Sequence, residues 1–331
     1  MPQSPAPRSW PPAPRSPRGQ SLVGAIVAYV LVGTFIGVLG WKLVETAADT
    51  RRLSTFERPD VATAQLPTAA TAYRDAQLAE LLQRQLPAIG AVGYYVKNLT
   101  TGAEAEVNSE RVFPAASLYK LPIMVEVIRQ VRVRRLSMDQ EVVIGREHWV
   151  AGSGVLQARV GESLSVRELL RLLIVESDNI AAMTLLDVVG LENVNQTMQG
   201  MGLRSTRLMD YRAPGAYSGP GPYTTTPADM GLLFDVVATG KLVDTSGSEE
   251  ALRLLEKKQA NEWLSEGLPW WAKLAHKWGD IPSARHDAGV VFTPRSQYVV
   301  VVMTEGLDLQ RASDQIRDTS RLVFNYFEGP R

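Results

Sequence analysis

Residues 22–41 are twenty consecutive positions without a charge, closing on Trp41, and no other feature limits the chain's architecture so strongly. At about 1.5 Å per helical residue they match the ~30 Å hydrocarbon layer of a bilayer. A secretory signal core is shorter, roughly 7–15 residues, so a retained anchor is favoured. The small residues Thr46, Ala47 and Ala48 offer cleavage as the alternative. A soluble amphipathic helix carries a polar stripe, and this stretch has none. The expectation is an N-terminal transmembrane helix over 21–43.

The flanks differ sharply in character. Residues 1–20 contain seven prolines, Arg8, Arg15, Arg18 and no acid, the composition of a disordered Pro/Arg-rich tail. Residues 44–75 are polar, rich in Ala and Thr, with Pro59 and Pro67, and read as a stalk. Lys42, Arg51, Arg52 and Arg58 follow the apolar stretch, so counting basic residues barely orients it. The purely basic tail favours an N-terminus on the inside.

Residues 76–331 are patterned as a globular domain, long enough to bury a core. Helical spacing predicts helices over 78–86, 117–135, 166–175, 180–189, 192–201, 228–238, 249–263 and 309–327. Strands are predicted over 92–97 and 103–108, joined by an Asn98–Gly102 turn, and over 275–279, 286–292 and 297–304. Strands at both ends with helices between them predict a mixed α/β (α+β) fold. It has an antiparallel sheet built from both ends of the domain, flanking helices and an inserted helical lobe. A cleft is expected where lobe meets sheet.

Composition removes several chemistries. With 35 Lys and Arg against 35 Asp and Glu, the chain lacks the basic surplus of a nucleic-acid binder. It has no cysteine, hence no thiol nucleophile, disulfide or thiolate-held metal. His148, His276 and His286 are dispersed without metal-ligand spacing, so neither a metal nor a cofactor is expected. His276 and His286 read as sheet residues.

Three short motifs remain. Ser117-Leu118-Tyr119-Lys120 is an S-x-x-K at the start of a predicted helix, where i, i+3 spacing puts hydroxyl and amine on one face. A buried lysine of lowered pKa can activate a serine, and a helix N-terminus offers N–H groups to an oxyanion. Ser177-Asp178-Asn179 lies between two apolar helical runs, and reads either as an N-cap or as a polar site. Lys277-Trp278-Gly279 enters the terminal sheet, where lysine supplies positive charge and glycine permits close approach of a substrate.

In this order and on these elements the three motifs resemble those of the class A β-lactamases and their penicillin-binding relatives. The resemblance extends over about residues 85–325. It includes Phe113-Pro114-Ala115-Ala116, Thr225-Thr226-Pro227 and His286-Asp287-Ala288-Gly289. It implies that Ser117 is acylated by a β-lactam or a D-alanyl peptide and that Lys120 takes its proton. Ser177 would relay a proton to the leaving nitrogen, and Asn179 would hold Lys120 and the substrate amide. Lys277 would bind the substrate carboxylate beside Gly279, and the backbone N–H groups of Ser117 and Asp280 would form the oxyanion hole. Such a site belongs on the extracytoplasmic side of a bacterial cell membrane, in a single-pass and monomeric protein.

Two positions depart from that family. Aligning Asp210 and Pro214 with the family's loop places Ala213 where a glutamate would activate the deacylating water, and a methyl group accepts no proton. Tyr211 stands for a bracing arginine, and residues 215–222 suggest a remodelled loop. Trp278 replaces a threonine that contacts the substrate carboxylate, and offers a stacking surface instead. Trp270 and Trp271 read as core. The expectation is a membrane-anchored serine hydrolase with slow deacylation. The alternatives are a D-Ala-D-Ala carboxypeptidase or penicillin-binding enzyme, and a non-catalytic sensor or wall-binding module.

Overall fold

The computed structural model describes residues 73–213 and 221–329. The tail, the apolar stretch, most of the stalk and the loop residues 214–220 lie outside the described residues. Among the described residues no helix is long and apolar enough to cross a membrane.

The domain begins with α1 (Ala76–Gln83), capped by Asp75, and the hairpin of β1 (Ala91–Asn98) and β2 (Glu104–Val107). The Asn98 carboxamide oxygen accepts the N–H groups of Thr100 and Thr101 and so shapes the hairpin turn. The last strands, β8 (Lys273–Ile281), β9 (Ala284–Phe292) and β10 (Gln297–Glu305), complete an antiparallel five-stranded sheet of order β2-β1-β10-β9-β8. Strands from the two ends of the domain thus meet at β1 and β10, with Ala91 opposite Glu305 and Asn98 opposite Tyr298.

Both faces of this sheet are covered, as the period-two side-chain alternation shows. On β10, Val299, Val301 and Met303 enter the core shared with the helical lobe. Tyr298, Val300 and Val302 enter a second core beneath α1 and the terminal helix, with Ile316 and Val323.

The lobe consists of α2 (Lys120–Arg132), α3 (Val166–Val175), α4 (Asn179–Val189) and α5 (Leu191–Gly200), followed by α6 (Pro227–Ala238) and α7 (Thr245–Leu255). Short strands not anticipated from the sequence brace it. β3 (Phe113–Pro114), β6 (Arg207–Leu208) and β7 (Tyr223–Thr225) form one small sheet, and β4 (Glu141–Val143) pairs β5 (Ser163–Ser165).

The predicted helix over 249–263 is divided into α7 and a short α8 (Trp263–Glu266). Between them the buried Gln259 spends its carboxamide N–H on the carbonyl of His276 in β8, tying this connection to the sheet. The terminal α9 (Leu309–Glu328) closes the domain, its first turn capped by Asp308.

Trp270 and Trp271 are not core residues. Trp270 is 95% exposed and Trp271 is 43% exposed, with its ring edge against Phe324. Both lie in the turn after α8, where α9 meets only one edge of Trp271 and leaves Trp270 in the open, so apolar character alone misplaces them.

Candidate active site

Ser117 stands in a 3-10 turn, Ala116–Tyr119, that runs into α2. The turn is entered through Ala116 at φ 44°, an uncommon conformation for a residue with a Cβ. It is held from behind by β9. The fully buried His286 accepts the Thr304 N–H on Nδ1 (3.1 Å) and donates from Nε2 to the Pro114 carbonyl (2.7 Å). Burial lowers its pKa to about 4, so the ring is neutral with one fixed tautomer.

One turn of helix beyond Ser117, the buried Lys120 Nζ faces four oxygens. These are Ser117 Oγ at 3.3 Å, Ser177 Oγ at 3.0 Å, Asn179 Oδ1 at 2.8 Å and the Ser177 carbonyl. Burial first, then the charge of Lys277, holds the Lys120 pKa well below the usual lysine value, against an opposing effect of Asp178. An ammonium has three protons for these four oxygens, whereas a neutral amine has a lone pair free for the Ser117 hydroxyl proton.

The Ser177-Asp178-Asn179 triplet divides its work. Ser177, at φ 51°, turns toward Lys120 between α3 and α4. Asp178 is the N-cap of α4, accepting from Ala181 N–H, and its other oxygen accepts from Val155 and Leu156 N–H. The N-cap reading and the polar-site reading are therefore both realised, on neighbouring residues. Asp178 also fixes the 150–156 loop. A Cβ on Gly154 would meet Asp178 Oδ2 at 2.1 Å, and its φ of 126° is closed to other residues. Asn179 adds a bond from Nδ2 to the Ala151 carbonyl (3.0 Å).

Ser117 and Asn179 line a cleft of about 420 Å³ together with Asp280, the 150–153 loop and the rings of Tyr119, Tyr211 and Tyr223. Tyr119 and Tyr223 are stacked, with centres 4.2 Å apart. Gly279 lies directly behind the nucleophile, for a Cβ there would come within 3.0 Å of both the Ser117 nitrogen and Ala116 Cβ. Asp280 is held by a two-pronged ion pair to Arg285 (3.0 and 3.2 Å). The guanidinium is anchored in turn on Leu309 O and Ser313 Oγ.

Lys277 is brought near Lys120 but not into the cleft wall. It is fully buried, and its Nζ folds back on its own strand to the Trp278 carbonyl (3.0 Å) and Gln259 Oε1 (3.5 Å). The ammonium lies 4.4 Å from the centre of the Trp278 ring. Burial pushes its pKa down to about 7, partly offset by Asp287. Trp278 itself offers no surface to a substrate. Its ring is buried in the second core, edge-on to Trp263, because strand alternation directs it away from the face that Gly279 presents to Ser117.

Ala213 is half-buried beyond Tyr211, and its N–H is bonded to the Asp210 carbonyl (3.0 Å). Among the described residues, Asp280 is the one carboxylate in the cleft wall, and it is engaged by Arg285. The neighbouring His148 accepts Gly145 N–H on Nδ1, so its Nε2–H donates to Asp187, and no lone pair remains for a water.

Sequence reasoning missed Gln259, Arg285 and the role of His286, whose partners lie far away in the chain. It also missed the cleft-lining tyrosines and the 150–156 loop. For the loop there was a signal, the Gly152-Ser153-Gly154 cluster.

Comparison with known proteins agrees with this geometry. The Beta-lactamase2 model, described as the beta-lactamase enzyme family, matches residues 74–327. A beta-lactamase of Streptomyces fradiae is 28% identical over 240 residues, which cover 68% of this chain and 77% of that protein. The D-alanyl-D-alanine carboxypeptidase DacD of Salmonella typhimurium is 31% identical over 170 residues, 47% of this chain and 43% of that protein. Among solved structures, PBP-A superposes with a TM-score of 0.72 at 29% identity, covering 78% of this chain and 98% of that one. A PBP-A variant solved as an acyl-enzyme complex with penicillin-G superposes equally well. The chain belongs to the beta-lactamase enzyme family and is a class A β-lactamase-like serine hydrolase.

Proposed function

We propose that the chain forms an acyl-enzyme at Ser117 with β-lactams or D-alanyl peptides and releases it slowly. The observation that carries this reading is the set of four oxygens around a buried Lys120 Nζ, one of them Ser117 Oγ. Neutral Lys120 takes the Ser117 proton as Oγ attacks the carbonyl. The backbone N–H groups of Ser117 and Asp280 stabilise the oxyanion. Ser177 passes the proton to the leaving nitrogen, and Asn179 orients Lys120 and the substrate amide. Gly279 lets β8 pack closely behind the Ser117 turn, and Lys277 lowers the Lys120 pKa through its charge.

Slow release follows from the absence of a free carboxylate or histidine lone pair in the described cleft wall, with Ala213 at the position of the family's glutamate. The DacD similarity and the PBP-A acyl-enzyme support a penicillin-binding enzyme as the second reading, beside the β-lactamase-like hydrolase that the Streptomyces relative supports. The uncharged residues 22–41 support a single-pass bacterial membrane anchor with this domain outside the cytoplasm. The test is labelling of the full-length chain with a fluorescent penicillin, alongside nitrocefin turnover. Labelling that disappears in Ser117→Ala, with little turnover, is expected. Equal labelling of both proteins would refute the assignment.

A further inference from the structure

We infer that the chain carries a second binding site, for a small oxyanion of the phosphate or sulfate kind, in a surface cavity at the start of β8. His276 forms its floor, and Lys257, Lys258 and Lys273 stand on its rim. The inference goes beyond the acyl-enzyme reading and does not depend on it.

The floor is built from the core outward. Asp287 on β9 is fully buried, and both of its oxygens accept hydrogen bonds. Oδ1 takes the proton of His276 Nδ1 at 2.8 Å, and Oδ2 takes the Leu264 N–H at 3.1 Å. A carboxylate so placed has no proton to give, so Nδ1–H is the donor and the tautomer of His276 is fixed. The His276 carbonyl is held as well, by the Gln259 carboxamide. The imidazole is thus clamped, with only 4% of the residue exposed. Its opposite nitrogen, Nε2, has no partner among the described residues and is not one of the polar atoms sealed in the core. His276 lines a cavity of about 370 Å³, and Nε2 is the side-chain polar atom it has left to offer there.

The rest of the wall is charged. The end of α7 and the connection to α8 supply Lys257 and Lys258 together with Glu256 and Glu262, and β8 supplies the exposed Lys273. Three ammonium groups face two carboxylates, so the rim is net cationic. The half-buried Ser265 adds a hydroxyl. An imidazole that takes up a proton at Nε2 turns a new N–H toward the cavity, while Asp287 balances its charge from behind. A tetrahedral oxyanion accepts in several directions at once, which suits one fixed donor at the floor and flexible ammonium groups around it. Binding is therefore coupled to uptake of a proton at His276. No lining residue is shared between this cavity and the Ser117 cleft.

The proton has one competing owner. Lys277 is next on the strand, also feels Asp287, and has its pKa pushed down to about 7 by burial. A test must separate the two groups.

The test follows the melting temperature of the full-length chain as sodium sulfate replaces sodium chloride at constant ionic strength. Sulfate keeps the same charge between pH 6 and 8.5. At pH 6 a saturable rise of about 2–4 °C is expected. The half-saturating concentration should be at least fivefold higher at pH 8.5. The double variant Lys258→Ala, Lys273→Ala changes two exposed positions and should raise that concentration at least tenfold. His276→Asn keeps an N–H for Asp287 without reaching the cavity, and should abolish the pH dependence. Glycerol 3-phosphate separates the two sources of such an anion. Half-saturation equal to that of sulfate supports a free ion, and at least tenfold tighter binding supports a phosphoryl group on a larger molecule. No saturable rise with either anion, or a rise that the lysine variant leaves unchanged, would overturn the site. A pH dependence that survives in His276→Asn would assign the proton to Lys277 and refute the role of His276.

Discussion

His286 Nε2 donates to the carbonyl of Pro114 at 2.7 Å across 172 positions of sequence, three residues before the nucleophile. The same ring stands edge-on to Phe113, with centres 6.0 Å apart. One buried side chain of the sheet thus fixes the peptide that enters the Ser117 turn at the strained Ala116.

Protonation of His286 should be visible in stability. Its pKa is near 4 folded, against the ordinary 6.5 unfolded, so the unfolded chain binds the proton first as pH falls. Its contribution is complete above pH 6.5 and is lost progressively down to about pH 4, amounting to roughly 3 kcal/mol at about 1.4 kcal/mol per unit. Urea unfolding between pH 4 and 7 should show this slope in the wild type and a weaker one in His286→Gln. Parallel curves would remove His286 as the linked group.

Replacing Lys120 tests the base. Lys120→Arg keeps the charge but cannot yield a neutral amine near neutral pH, so acylation of Ser117 should fall at least 100-fold. Fluorescent-penicillin labelling kinetics read this directly. A fall of less than tenfold would assign the proton transfer to another group.

Gly279→Ala adds a methyl group within 3.0 Å of the Ser117 nitrogen and Ala116 Cβ, so one of the two segments must shift. Acylation should slow by at least tenfold, at a cost in stability of about 1–3 kcal/mol from overpacking. Labelling rates and thermal melts together check this, and an unchanged rate would show that the turn tolerates displacement.

Asp178 accepts three backbone N–H groups from α4 and the 150–156 loop. Asp178→Ala should therefore cost more than the ~1 kcal/mol of an ordinary N-cap, about 3 kcal/mol, and increase proteolysis near residue 155. Limited proteolysis with mapped cut sites is the measurement.

The sequence carried much of this architecture because the relevant signals are local. Val166–Val175 appears as its periodicity predicts, and Ser117 and Lys120 share one side of their turn, as i, i+3 spacing requires. Strand position also foretold that both ends of the domain would share a sheet. What stayed hidden depends on contacts distant in sequence. Nothing near Gln259 announces that its carboxamide would interrupt a helix to bind β8, and nothing near His286 names Pro114. Trp278 is a different case. Alternation from Gly279 was readable, but the substitution invited a role at the substrate rather than in the core.

The central claim is that Ser117, activated by Lys120, forms a long-lived acyl-enzyme. The most direct measurement is an intact-mass time course of the full-length chain with penicillin G, continued after free drug is removed, beside Ser117→Ala. The account predicts a single adduct on the wild type that persists for hours and none on the variant. No adduct on the wild type, or an equal adduct on Ser117→Ala, would contradict it.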